Sequence, residues 1–163
     1  MPAAEILRWS VILLLSILLF FVGVSDIRDR RIPNWTVLAV AGLFVPWIFV
    51  GGQVSIISSL EAALICFVVS CALYVFGVVG AGDSKLLTVA ALFAGMSRLP
   101  HFLVLVALVG GAIAVISLLA RPVRAAVMFH MRGKGDYGRG VPYGVAIAVA
   151  TIAIILVPKT LLA

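Results

Sequence analysis

Charged residues are scarce in this sequence: they make up 11% of its 163 residues, while 64% are hydrophobic. A soluble domain usually has about a quarter of its residues charged and about half apolar. No soluble fold of this length could hide so much apolar surface. The composition therefore excludes a soluble globular protein and predicts an all-α polytopic membrane bundle, with residues 1–163 forming a single domain.

Cysteine and histidine are scarce as well, with two of each. Cys66 and Cys71 lie five residues apart in one apolar run, on different faces of a helix, and this spacing suits neither a disulfide nor a metal site. His101 and His130 are isolated and lack the spacing of metal ligands. We therefore expect no metal and no cofactor.

The net charge of +6 is distributed over the gaps between apolar runs rather than gathered in one patch. Basic residues in such gaps are typical of topology signals and of contacts to anionic lipid head groups, so a nucleic-acid partner is not expected. The stretch GKGDYG at 133–138 matches G-x-G-x-x-G. It follows no predicted strand, and a nucleotide site is therefore not expected there.

The uncharged runs predict six membrane-spanning helices. The fourth run is too short to cross about 30 Å of hydrocarbon unless residues 80–85 are added to it. With six spans the lysines and arginines divide nine to three between the two sides, whereas five spans divide them six to six. The positive-inside rule favours six spans with both termini outside the cytoplasm. The runs are 9–25, 35–60, 62–82, 86–97, 99–120 and 141–158.

Two aspartates lie at the cytoplasmic face in this topology, Asp26 at the end of the first span and Asp83 at the start of the fourth. Ionisable residues in membrane segments favour a functional role. An aspartate pair at one depth can hydrolyse a peptide, since an ionised carboxylate takes a proton from water while a protonated one polarises the carbonyl. Asp26 could instead pair with neighbouring arginines, and Asp83 could cap a helix.

The stretches DIRDRRIPN at 26–34 and GAGDSK at 80–85 together resemble the type IV prepilin leader peptidases, which are GxGD membrane aspartic proteases. The resemblance implies that Asp26 and Asp83 are the catalytic pair. The late stretch GRGVPYG at 138–144 is similar to the family's Pro-aromatic-Gly segment before the last helix. The residues expected to bind the substrate or shape the site are Gly80, Gly82, Pro33, Asn34, Lys85, Pro142, Tyr143 and Gly144. Lys85 could instead contact lipid head groups.

The gap between the first two spans is only about nine residues long and holds no cysteine, unlike the zinc-binding insertion of longer family members. The match is therefore to the short form associated with Flp/Tad pili. It implies cleavage of a prepilin that has a short basic leader and a hydrophobic helix, and it implies neither zinc binding nor N-methylation of the product.

Two other functions remain open at this point. Asp26 and Asp83 could carry protons or cations through a small transporter, although both lie near one face rather than at midplane. They could also form salt bridges in a non-enzymatic pilus-assembly subunit. Asp29 and Asp136 are the rival acids for catalysis, and Glu61 is expected in the first turn of the third helix, where the helix dipole favours a negative charge.

Overall fold

The computed structural model describes residues 2–50, 54–119 and 143–157, and these residues form helices and no strand. The helices are α1 (Pro2–Asp29), α2 (Asn34–Phe49), α3 (Ile56–Val75), α4 (Ala81–Leu119) and α5 (Tyr143–Leu156). Helices α1, α3 and α4 are long and apolar enough to cross a membrane, while α2 and α5 are apolar but shorter. The described residues thus form an all-α fold with three candidate membrane spans.

The first two helices are separated by only four residues. Pro33 precedes α2 in an extended conformation, with φ −62° and ψ 136°. Its carbonyl accepts hydrogen bonds from the Thr36 hydroxyl at 2.6 Å and the Thr36 N–H at 3.1 Å. Because proline cannot donate and disfavours helix in the residue before it, the chain turns sharply here and brings the start of α2 beside the end of α1.

Helix α3 begins earlier than the sequence suggested. Ser55 caps it, accepting the Ser58 N–H at 3.3 Å. With Ile56 as the first helical residue, Glu61 lies in the second turn rather than the first. The expected interaction of Glu61 with the free amides of the first turn was therefore wrong, since those amides belong to residues closer to Ser55.

Helix α4 is interrupted at Gly95, which has φ 65° and ψ 171°. The beginning of α4 packs against Ile32, and Ile32 also contacts Gly144 at the start of α5. Gly110 lies against the ring of Tyr143, the residue that precedes Gly144. A straight helix would place residues 82 and 110 about 42 Å apart, yet both lie near the start of α5. The second segment of α4 therefore runs back along the bundle.

The buried core surrounds α4, which packs against α2, α3 and α5, while α1 packs against α2 and α5. Phe93 of α4 contacts the rings of Phe44 and Trp47, with centroid distances of 5.6 and 6.2 Å. Large apolar side chains cover the outside of the helices, as expected for a surface that faces lipid. Fully buried core side chains include Leu15, Leu19, Val22, Val40, Trp47, Leu86, Phe93, Phe102 and Ile154.

Arg98 is buried in this bundle, with 3% of its surface exposed. Its Nη1 donates to the carbonyl of Ile154 at 2.8 Å, and its Nε and Nη2 have no hydrogen-bond partner among the described residues. The last carbonyls of a helix lack intrahelical partners and attract cations, so Arg98 fastens the end of α5. The uncharged runs put Arg98 in the gap between the fourth and fifth spans, whereas the structure places it inside α4 and buried.

Candidate active site

Asp26 lies in the last turn of α1 with only 6% of its surface exposed. The helix ends three residues later, at Asp29, because Arg30 adopts a left-handed conformation with φ 54°. The Arg30 N–H donates to the Asp26 carbonyl at 3.2 Å. Left-handed residues end many helices. The Ser25 hydroxyl donates to the Arg31 carbonyl at 2.8 Å and holds the following turn against α1.

The carboxylate of Asp26 faces the amino-terminal end of α5. The Gly144 N–H donates to Asp26 Oδ2 at 2.8 Å, and the Val145 N–H interacts with the same carboxylate more weakly. These amides belong to the first turn of α5, where no intrahelical acceptor is available. A Cβ atom at Gly144 would lie 2.8 Å from Asp26 Oδ2 and 3.1 Å from Ile32 Cδ1, so the site requires a residue without a side chain.

Asp83 lies in the first turn of α4. The preceding Gly80 accepts the Ser84 N–H at 3.0 Å, and the Asp83 carboxylate reaches back to the Gly80 N–H. This is the arrangement in which the third helical residue of a capping box bonds the residue before the helix. Asp83 therefore caps α4, which is the helix-capping role that the sequence allowed as an alternative to catalysis.

Asp26 and Asp83 line the same cleft, which has a volume of about 330 Å³. The negative charge of Asp26 acts on Asp83, and the positive charge of Arg30 acts on both carboxylates. Two acids that are 57 positions apart in sequence thus share one recess. It lies between the end of α1, the start of α2 and the start of α4. The start of α5 closes the side behind Asp26.

Most of the other predicted site residues surround this cleft. Lys85 Nζ donates to Asn34 Oδ1 at 3.1 Å and joins the start of α4 to the start of α2 at the exposed mouth. A Cβ atom at Gly82 would lie 3.2 Å from Ile32 Cβ, so Gly82 allows the turn after α1 to approach α4 closely. Tyr143 packs against Gly110, away from Asp26. Pro142 lies outside the described residues, as do Asp136 and His130.

A larger pocket of about 680 Å³ lies on the other side of the same turn. Asp29 lines it together with Ser25 and Pro33. Asp83 is not among its lining residues, so this pocket lacks the second acid that hydrolysis by an aspartate pair requires. The smaller cleft is therefore the better candidate active site, and Asp29 is not among the residues that line it.

Two features of the site had no clear signal in the sequence. Arg30 was considered only as an ion-pair partner for Asp26, whereas its charge acts on both aspartates. Its position four residues after Asp26 was the available indication. The amide of Gly144 is 118 residues from Asp26, and no local pattern could have linked a backbone donor to an acid at that distance.

A family model for the type IV leader peptidase family matches residues 13–115 of the chain. This range includes both aspartates and both motifs, and it ends before α5. Comparison with curated proteins gave no match, and neither did comparison with solved structures.

Proposed function

The chain belongs to the type IV leader peptidase family, and from this we propose that it is a membrane-embedded aspartic endopeptidase that removes the leader peptide from prepilins. Membership implies a peptidase with prepilin-type substrates and an association with the membrane. The proposal that Asp26 and Asp83 are the catalytic residues rests on one observation above all: both carboxylates line one cleft, where the charge of one acts on the other.

Such a pair can hydrolyse a peptide without a nucleophilic side chain. One carboxylate is ionised and removes a proton from a water molecule as the water oxygen attacks the scissile carbonyl carbon. The other is protonated and donates to the carbonyl oxygen, which stabilises the tetrahedral intermediate. Repulsion between two close carboxylates in a partly desolvated cleft favours the state in which they share one proton.

The fold supports six passages through the membrane, made by α1, α2, α3, the two segments of α4, and α5. The reversal of α4 at Gly95 returns the chain to the end of the bundle that contains the cleft. Of the basic residues that the structure describes, Arg28, Arg30, Arg31 and Lys85 lie at that end, Arg8 lies towards the other end of α1, and Arg98 is buried. By the positive-inside rule the cleft faces the cytoplasm, with both ends of the chain on the opposite side.

The substrate we propose is a prepilin of the Flp/Tad type. Only four residues separate α1 from α2, which leaves no space for a zinc-binding insertion between them. The hydrophobic helix of the prepilin would lie in the bilayer beside the bundle, with its basic leader at the cytoplasmic face. The peptide must unwind at the scissile bond, and a glycine there helps because glycine is a poor helix former.

Co-expression with a prepilin from the same genome tests the proposal, with loss of the leader followed by gel mobility and mass spectrometry. Asp26→Asn and Asp83→Asn should each lower the processing rate by about 10²- to 10⁴-fold, the usual contribution of a general acid or base, at unchanged protein abundance.

Asp29→Asn is the matched control, since it removes an acid three residues from Asp26 that lines a different pocket. It should process normally. Abolition of processing by Asp29→Asn alone would show that the first acid is misassigned. Absence of processing in every version, including the unmodified chain, would favour a transporter.

A further inference from the structure

We propose that Asp26 is the ionised member of the aspartate pair, stabilised by the amino-terminal end of α5, and that Asp83 carries the catalytic proton. This assignment rests on the proposed function, because it gives each carboxylate a separate role in that reaction. It also makes α5, which lies outside residues 13–115 matched by the family model, a component of the catalytic site.

The hydrogen-bond donors around Asp26 favour its charged form, whereas burial disfavours it. Its Oδ2 accepts the Gly144 N–H at 2.8 Å, and the Val145 N–H adds a second, weaker interaction. Both donors come from another helix, at the end that carries a partial positive charge. Hydrogen bonds from N–H groups to an ionised acceptor are shorter and stronger than those to a neutral one. These donors therefore stabilise the carboxylate and offset part of the cost of burying its charge.

Asp83 has fewer such contacts. Its carboxylate interacts with one backbone amide, that of Gly80, at the start of its own helix. It also experiences the negative charge of Asp26. Protonation of Asp83 removes the repulsion between the two groups and leaves the contacts of Asp26 with α5 intact. Protonation of Asp26 would instead weaken two interactions with α5 in order to relieve the same repulsion.

The other charged groups around the pair do not reverse this order. Arg30, at the end of α1, acts on both carboxylates. Arg31 and Lys85 line the cleft, and the Lys85 ammonium group donates to Asn34. Helix α2 brings no charged side chain, and residues 143–157 contain none either. Tyr143, the one titratable residue in that range, packs against Gly110.

The assignment gives a reaction in which protons balance. Asp26 takes a proton from water as the hydroxide adds to the scissile carbon, and Asp83 donates its proton to the carbonyl oxygen. When the intermediate collapses, Asp83 recovers a proton from one hydroxyl group, and Asp26 donates its proton to the departing nitrogen. The C–N bond breaks, and both carboxyl groups return to their initial states.

Carbon-13 NMR of the full-length protein in nanodiscs, with aspartate labelled at the carboxyl carbon, can test the assignment. The four aspartates of the chain are Asp26, Asp29, Asp83 and Asp136. Asp29→Asn with Asp136→Asn leaves only the pair, and adding Asp83→Asn or Asp26→Asn leaves a single carboxyl group. In the version that keeps only Asp26, the carboxyl group should titrate at least about one pH unit below the carboxyl group of the version that keeps only Asp83. That is a tenfold difference in proton affinity.

Gly144→Ala supplies a second measurement in the version that keeps both aspartates. Coupled groups titrate in two steps that belong to the pair, and displacing Asp26 from the α5 amides should raise the lower step. Gly111→Ala should leave both steps unchanged, because a Cβ atom there meets no atom within 4 Å.

Equal titration midpoints, or a lower midpoint for Asp83, would overturn the assignment, as would a lower step that Gly144→Ala leaves unchanged. The proposed function is assessed separately by prepilin cleavage in the unmodified chain. A processing enzyme with the opposite titration order would disprove only the assignment, whereas a chain that cleaves no prepilin would disprove the function.

Discussion

At Gly144 a single methyl group decides whether the Asp26 carboxylate can occupy its site. The built Cβ atom lies 2.8 Å from Asp26 Oδ2 and 3.1 Å from Ile32 Cδ1, and both neighbours belong to the cleft wall. We expect Gly144→Ala to displace the carboxylate and lower the prepilin-processing rate by about 10²-fold, the effect of misplacing a reacting group by about 1 Å. The rate should be measured against protein abundance in the same cells.

Gly111→Ala is the control for this substitution. It introduces the same methyl group where the Cβ atom meets nothing within 4 Å, so processing should be unaffected. Normal processing by the Gly144→Ala protein would show that the close approach of α5 to Asp26 is not needed for activity.

The residues of the candidate site were predictable from sequence to different degrees. Asp26 and Asp83 stand out because each is an acid next to a long apolar run, within a motif of turn residues. The Gly144 amide could not be identified in this way, since a backbone donor has no residue-type signature. The effect of Arg30 on both acids depends on the left-handed turn after α1, in which Arg30 itself has a positive φ. The sequence does not show where that turn directs the side chain.

At the scale of whole elements, the reversal within α4 depends on Gly95. Its φ of 65° with ψ of 171° lies in a region that is open to glycine and costs other residues about 1–3 kcal/mol. A Cβ atom there would also overlap the side chain of Val54 at the start of α3. Gly95→Ala should therefore lower the thermal unfolding temperature in detergent and the protein abundance in membranes.

Gly42→Ala in α2 provides the comparison for this effect. Its Cβ atom meets nothing within 4 Å, and alanine is favoured over glycine in helices by about 1 kcal/mol, so stability should be equal or higher. Equal stability of the Gly95→Ala protein would mean that the chain reverses without a positive φ at this residue.

Apolar runs predicted the helices better than the breaks between them. The boundary between the fourth and fifth runs was placed at Arg98 because a charge usually marks the end of a span. The break lies three residues earlier, at Gly95, and Arg98 is buried against the end of α5. The buried Arg98 donates to the Ile154 carbonyl, 56 positions away in the sequence. The lengths of apolar runs carry no information about a hydrogen-bond partner that is so distant.

At the scale of the whole molecule, one end of the bundle holds the cleft and the opposite end holds the α4 reversal. Among the described basic residues, Arg28, Arg30, Arg31 and Lys85 lie at the cleft end, and the burial of Arg98 leaves Arg8 on the other side of the balance. A prepilin leader that stays in the cytoplasm can reach the aspartates only if the cleft end faces the cytoplasm. The proposed function therefore requires the orientation in which the cleft end faces the cytoplasm.

Single cysteines can test this orientation in a version that carries Cys66→Ala and Cys71→Ala. Val78→Cys lies between α3 and α4 at the cleft end, where the native side chain is 64% exposed. Ser97→Cys lies at an exposed position beside the α4 reversal. A membrane-impermeant maleimide should label Ser97→Cys in intact spheroplasts and Val78→Cys only after permeabilisation.

Each single-cysteine version serves as the accessibility control for the other version, and total labelling after denaturation corrects for abundance. The opposite pattern would put Asp26 and Asp83 on the outer face, where a cytoplasmic leader cannot reach them, and the aspartates would then need a different substrate.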